Sequence, residues 1–230
     1  MLPAQHLIKM LKNEIFALHS ELFAGLAADE IESILSRTCS CRRVYTKNVD
    51  IFSPGDTICH TGLILKGKID VQFSGLSGKD ELVVRESPGE LIGQAFSLTG
   101  TENSFIHFRA AEEAEILFMN LDALFSAPVV DPLLGRVSVN LMKILAATNI
   151  QLNKKICLLT QKSLRDKLML FFRDSASSSP DGKSCQLTLT REELAAYVSA
   201  ERSSVSRELG RMQDDGCIRL VGRKVILPAG

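Results

Sequence analysis

The stretch from Leu187 to Leu227 narrows what this chain can fold into more than any other. Thr190-Arg-Glu-Glu193 has the form of a capping box, in which a threonine caps a helix start and a glutamate three residues on reaches back. The helix it opens carries Leu194, Ala195 and Val198 inward. A break follows at Ser199-Ala200-Glu201. A second helix runs to about Asp214 and stops at Gly216, a residue suited to a helix C-terminus. Val205, Leu209 and Met212, at i, i+4 and i+7, form its apolar stripe. Arg202, Ser203, Ser206 and Arg207 fall on another face near its start. This pattern predicts a helix-turn-helix, whose second helix enters a DNA major groove with its N-terminal residues near base edges. Cys217–Val221 and Lys224–Leu227 then flank Gly222-Arg223 and read as a hairpin wing. Arg219, Arg223 and Lys224 are placed there to neutralise phosphates. The competing reading is a plain helical pair with solvated charges.

Charge supports the DNA reading. The whole chain of 230 residues is neutral, with 27 Lys/Arg and 27 Asp/Glu, which excludes a uniformly basic coat. Residues 155–230 nevertheless hold 13 Lys/Arg against 9 Asp/Glu, while residues 1–154 hold 14 against 18. The neutral total hides a basic C-terminal third, as a small nucleic-acid-binding module needs. No apolar run approaches the ~18 residues of a membrane span. Lys9, Lys12 and Glu14 break the apolar stretch near the start, so no secretion signal is expected and the cytoplasm is the expected compartment. The cysteines at 39, 41, 59, 157, 185 and 217 are then expected as thiols.

The rest of the chain changes texture twice. Residues 5–37 read as short helices, the last opened by Ala28-Asp-Glu-Ile31. From about 42 to 119 the period is that of strands: Ile69, Val71 and Phe73 alternate with Lys68, Asp70 and Gln72. Ser53-Pro-Gly-Asp56 is echoed by Ser87-Pro-Gly-Glu90, each suited to a type II turn. Short strands punctuated this way predict a barrel or sandwich. Residues 132–158 read as one long helix with Pro132 near its start. Val137, Leu141, Ile144, Leu145 and Leu152 give it coiled-coil spacing, and with no second helix of that length to pair with, they predict a homodimer seam. The alternative is a helix lying against the barrel.

These features come in one order: Ser53-Pro-Gly-Asp56, Gly62-Leu-Ile-Leu-Lys-Gly67, Pro88-Gly-Glu-Leu-Ile-Gly93, the long helix, Leu189-Thr-Arg-Glu-Glu-Leu-Ala195, and Arg202-Ser-Ser-Val-Ser-Arg-Glu-Leu209. Over nearly its whole length the chain resembles the Crp/Fnr family of bacterial transcription regulators. The resemblance implies an α+β fold in three parts. Residues 1–131 would form a cyclic-nucleotide-binding-like double-stranded β-helix (a β-roll or jelly roll) with N-terminal helices. Residues 132–158 would be a dimerisation helix, and residues 159–230 a winged helix-turn-helix. It also implies double-stranded DNA and RNA polymerase as partners. The DNA-contacting set becomes Thr190, Arg202, Ser203, Ser204, Ser206, Arg207, Arg223 and Lys224. The family often has a Glu where this chain has Ser203, so its operator should differ at that base pair.

The family's cyclic-nucleotide binders hold the cyclic phosphate with backbone amides, a Glu for the ribose and an Arg-Ser pair. Here Gln94 follows Gly93 where the Glu would stand, and the Arg-Ser pair aligns with Ser104 and Phe105. An anionic phosphate loses its charge-assisted partner, so cyclic AMP is not the expected effector. Cys39, Cys41 and Cys59 lack the spacing of the family's iron–sulfur branch, and four thiolates are the usual need. Among His6, His19, His60 and His107, only His107 sits within a strand pattern, where a hydrogen-bonded role is expected before haem ligation. No cofactor or metal is therefore expected. What remains is a small effector near Gly93, Gln94, Phe96, Ser104, Phe105, Met142 and Leu145, residues that core packing would also explain.

Two other functions compete. One is a cupin-type metalloenzyme, which needs clustered His and carboxylate ligands that four scattered histidines do not supply. The other is a small-molecule-sensing β-barrel protein without a DNA role. Arg202, Ser206 and Arg207 argue against that one.

Overall fold

The computed structural model describes residues 4–38, 40–74, 80–103, 105–122, 131–177 and 179–228. The chain divides into two compact units, Met1–Thr148 and Asn149–Gly230.

The first unit begins with α1 (Ala4–Leu18), a 3-10 turn (Glu21–Phe23) and α2 (Ala28–Arg37). Eight strands follow: β1 (Cys41–Tyr45), β2 (Asp50–Phe52), β3 (Thr61–Lys66), β4 (Ile69–Ser74), β5 (Asp80–Glu86), β6 (Leu91–Ile92), β7 (Ile106–Ala110) and β8 (Ala114–Met119). A short α3 (Gln94–Thr99) lies between β6 and β7. The strands form two antiparallel four-stranded sheets, ordered β1-β8-β3-β6 and β2-β7-β4-β5. Consecutive strands pass from one sheet to the other, except that β4 and β5 pair directly as a hairpin, a topology that fits a jelly roll.

Strand alternation builds two cores from one sheet. Ile64, Ile116 and Phe118 face inward and pack with Ile69, Val71 and Phe108 of the other sheet. Their neighbours Leu63, Leu65, Leu117 and Met119 face the helices and pack with Leu11, Ile15, Ile31 and Leu35. Strands buried on both faces read as continuous apolar runs, which is why Leu63-Ile-Leu65 shows no alternation. The two Ser-Pro-Gly turns form as expected: Asp56 N–H and Glu90 N–H donate to the Ser53 and Ser87 carbonyls at 3.1 Å each. Gly55 and Gly89 take φ of 90° and 93°, which a side chain would resist.

The long helix α4 spans Pro132–Leu159. The sequence reading set it apart as a segment of its own; here its first part belongs to the first unit and its last part to the second. Asn140 is buried and donates to the carbonyls of Leu22 and Ala24 at 3.1 and 2.9 Å. Leu134, Val137 and Leu141 join the helix-side core of the first unit, and Ile144 and Leu145 pack against it. This corrects the expected seam. Val137 and Leu141 are 0% and 4% exposed within a single chain, because they pack into the helix-side core of the first unit. Leu152 is the one member of the five that stays exposed.

The second unit holds the end of α4, then α5 (Leu164–Ser177), β9 (Ser184–Gln186), α6 (Arg191–Tyr197), α7 (Arg202–Asp214), β10 (Arg219–Val221) and β11 (Lys224–Ile226). Leu158, Phe172, Leu194, Val205, Leu209, Met212 and Val225 share one core. The strands form a sheet in the order β10-β11-β9. No helix among the described residues is long and apolar enough to cross a membrane.

Candidate nucleic-acid interface

The helix-turn-helix forms as its residues dictate. Glu193 N–H donates to Thr190 Oγ1 at 3.1 Å, and Thr190 N–H donates to Glu193 Oε2 at 2.8 Å, closing the capping box. Ser199 takes φ of 51°, and Ala200 N–H donates back to the Ala195 carbonyl, so the chain leaves α6 and re-enters a helix at Arg202. Two cations satisfy carbonyls at the end of α6. Lys167 Nζ donates to the Val198 carbonyl at 3.3 Å. Lys155 Nζ donates to the Tyr197 carbonyl and lies 3.7 Å from the Tyr197 ring centroid. Burial, and then the charge of Asp174, push the Tyr197 hydroxyl pKa up.

Helix α7 buries Val205, Leu209 and Met212 and exposes Arg202, Ser203, Ser206 and Arg207. The exposed four lie within an arc of about 140° over the first turn and a half of the helix, beside the buried stripe. Ser204 is partly buried, donates its N–H to the Glu201 carbonyl, and receives Arg207 Nη2 on its Oγ at 3.5 Å. Gly210 continues the exposed face one turn on, a place where no side chain blocks approach. Sequence reasoning passed over it for want of chemistry. It also missed what clamps the helix. Arg165 Nε and Nη1 of α5 reach Glu208 and Asp215 at 2.6 and 2.7 Å, and both carboxylates hold the guanidinium pKa above its usual value.

The wing is a hairpin turned at Gly222, with Val221 paired to Lys224. Lys224 and Arg219 are exposed. Arg223 departs from expectation. Its Nε and Nη2 donate to the carbonyls of Leu187 and Thr188 at 3.0 and 2.6 Å. It ties the wing to the segment between β9 and α6 while the side chain stays exposed.

The expected effector residues are dispersed. Gly93 caps α3 in the left-handed region with φ of 71°; a Cβ there would meet Ile58 and Phe52 at 3.0 Å. Gln94 opens α3 and is partly buried. Phe96 packs edge-on to Phe108 in the inter-sheet core, whereas Leu145 packs on the helix-side core. Met142 is 59% exposed on α4, and Phe105 is 51% exposed against Phe73. Phe96 and Leu145 thus pack against different cores, and Phe105 and Met142 are surface side chains. Ser104 and Cys39 lie outside the described residues. His107 Nδ1 faces Asp50 Oδ2 at 3.4 Å across the sheet, beside the Arg109–Asp50 pair. Among the described residues, no three His, Cys, Asp or Glu side chains gather as metal ligands.

Comparison with known proteins gives this geometry a lineage. Residues 158–229 match the model of a Crp-like helix-turn-helix domain, and residues 42–127 match that of a cyclic nucleotide-binding domain. The CRP-like protein Clp of Xanthomonas oryzae pv. oryzae is 28% identical over 218 residues, which cover 88% of this chain and 90% of that protein. The catabolite activator protein of Thermus thermophilus is 27% identical, with coverage of 91% and 94% and a TM-score of 0.52. CLP of Xanthomonas campestris, described as a c-di-GMP responsive global regulator, shares the fold at 23% identity, coverage of 89% and 100%, and a TM-score of 0.61. With a capped helix-turn-helix that presents arginines, a wing, and a jelly roll bearing the cyclic-nucleotide-binding signature, the chain belongs to the Crp/Fnr family of DNA-binding transcription regulators.

Proposed function

We propose that the protein is a cytoplasmic homodimer that reads a palindromic operator with α7 and answers to an effector other than cyclic AMP. The observation that carries this reading is the exposed N-terminal face of α7: two arginines and two serines beside a fully buried stripe. Arg207 is the guanine reader, since a guanidinium can bond O6 and N7 together. Ser203 replaces an acidic contact, and Arg202, Lys224 and the remaining hydroxyl proton of Thr190 meet phosphates. RNA polymerase is the downstream partner.

The dimer seam we assign is the exposed face of α4. Gly135, Val139, Met142, Ala146, Asn149, Asn153 and Ile156 repeat at alternating steps of four and three, and all seven are exposed. Val139, Met142 and Ile156 alone leave 45–59% of their surface uncovered in one chain. Asn153 Nδ2 donates to Asn149 Oδ1 at 2.7 Å; polar residues at seam positions fix register at a cost in stability.

The case against cyclic AMP rests on Gln94 and on what backs the Gly93 turn. Phe52 contacts Phe108 and Phe118 edge-on at 5.7 and 5.8 Å, filling the space behind it. Calorimetry with the full chain should show no heat of cyclic AMP binding, while a gel shift on DNA upstream of its own locus should show a complex. A micromolar cyclic AMP affinity would overturn the effector reading, and no complex with any upstream duplex would overturn the DNA reading. The c-di-GMP responsiveness of CLP makes that dinucleotide the second titrant.

A further inference from the structure

The outer end of the jelly roll carries a feature that the DNA-binding reading does not use. An open cavity of about 410 Å³ is lined by Cys41, Arg43, Tyr45, Phe52, Cys59 and Phe118, among others. That volume falls within the range of small-molecule sites. Cys41, Arg43 and Tyr45 alternate along β1 and so share one face, while Arg42 between them is committed to Glu14 and Glu115 on the other. The cavity wall is aromatic: Tyr45 and Phe52 both meet the Phe118 ring edge-on, at 6.3 and 5.8 Å. The Arg43 guanidinium lies 5.6 Å from the centroid of that ring. Its pKa is raised by a hydrogen bond with Tyr45, then by charge on Tyr45 and on the Cys41 sulfur, so the cation stands beside that thiol. Cys41 and Cys59 are both free and exposed. Cys59 already directs its Sγ at the Thr57 carbonyl, 3.8 Å away. An accessible thiol beside a fixed cation is the environment in which cysteines react.

We infer that this cavity is a covalent sensing site for small planar quinones, with Cys41 as the nucleophile and Arg43 as the donor to a quinone carbonyl. The ring lies against Phe118 and Tyr45. The Cys41 thiolate gives its electron pair to a ring carbon β to the carbonyl, forming a C–S bond. The C=C pair moves onto the carbonyl, and the oxygen takes negative charge where Arg43 stands. The proton lost from the ring carbon and the one first lost by the thiol end on the two oxygens. The product is a hydroquinone thioether; nothing leaves and no further oxidant is needed. The regulatory meaning of the adduct rests on the jelly roll being the sensory unit, but the chemistry does not.

The test treats the full chain, without air, with 1,4-naphthoquinone and maps adducts by peptide mass spectrometry. One addition at Cys41 is expected, well ahead of Cys59, with a rate that saturates as quinone concentration rises. Cys41→Ser should abolish that adduct. Arg43→Gln should slow it at least about tenfold, because the oxygen that takes the negative charge loses its charged donor, and leave the rate at Cys59 unchanged. An unchanged melting temperature of both variants would show that they fold. Equal, linear rates at Cys41 and Cys59, indifference to Arg43→Gln, or a Cys41–Cys59 disulfide in place of an adduct would each overturn the inference. The mapping uses no DNA, so its failure would leave the operator reading standing, and failed operator binding would leave the adduct standing.

Discussion

Arg223 shows how far a residue's type falls short of its job. Basic, and on a wing turn, it reads in sequence as a phosphate contact. Its guanidinium is instead spent on two carbonyls 35 and 36 residues away, a long-range pairing that no local pattern encodes. Lys224 beside it is exposed and free to take the phosphate role. Lys224→Ala should lower affinity for all DNA sequences alike and reduce the salt slope by about one. Arg223→Ala should lower the melting temperature of the protein slightly, as losing two hydrogen bonds at an exposed side chain costs about 1 kcal/mol. Thermal denaturation and salt-dependent anisotropy separate the two. Glu86 is a second residue whose behaviour lies in its surroundings. Burial first, then a hydrogen bond that its protonated carboxyl donates to Glu90, and the Glu90 charge, push its pKa up to about 8. A carboxyl that stays protonated when folded and ionises when unfolded makes stability fall as pH rises from about 4.5 toward 8. Glu86→Gln should therefore match wild type in melting temperature at pH 5 and exceed it at pH 8. Equal melting temperatures at both would contradict that environment.

Among the elements, those with strong local signals were legible. The capping box of α6, the buried stripe of α7 and the two Ser-Pro-Gly turns are each set by residues within a few positions of one another, and each forms as read. Helix α4 was legible as a helix and misread as a surface. Two apolar repeats run along it, one through Leu134, Val137 and Leu141 and one through Val139, Met142 and Ile156. Sequence favours the richer one, and the helix-side core of the first unit takes that one for itself. The weaker repeat, with Gly135, Ala146 and two asparagines, is what remains for a second copy. The two faces give opposite mutational outcomes. Met142→Glu with Ile156→Glu should yield folded monomers, because each charge meets its own copy across the seam. Leu141→Ala should keep the oligomeric state and lose about 2–5 kcal/mol of stability from the first unit. Sedimentation of both variants checks this; monomers from Leu141→Ala alone would reverse the assignment. The short strands β2, β6 and β9 and the helix α3 escaped the reading because two to six residues are too few to show a period.

Across the whole molecule, charge separates along the chain as function does. The acidic stretch 1–154 holds the jelly roll, and the basic stretch 155–230 holds the helix-turn-helix and wing. The family and the DNA-binding unit were legible because their motifs are local and ordered. The effector region was not, because Phe96, Phe105, Met142 and Leu145 are told apart only by which core each one joins. The central claim is that α7 reads sequence, in a dimer, with Arg207 as a base reader. Selection from randomised duplexes, followed by anisotropy on the enriched sequence, tests it most directly. The account predicts an enriched inverted repeat with half-sites about one helical turn apart. It also predicts that Arg207→Ala loses about 1–3 kcal/mol on that repeat and almost nothing on random DNA. No enriched sequence, a single unrepeated half-site, or equal losses on both DNAs would contradict it.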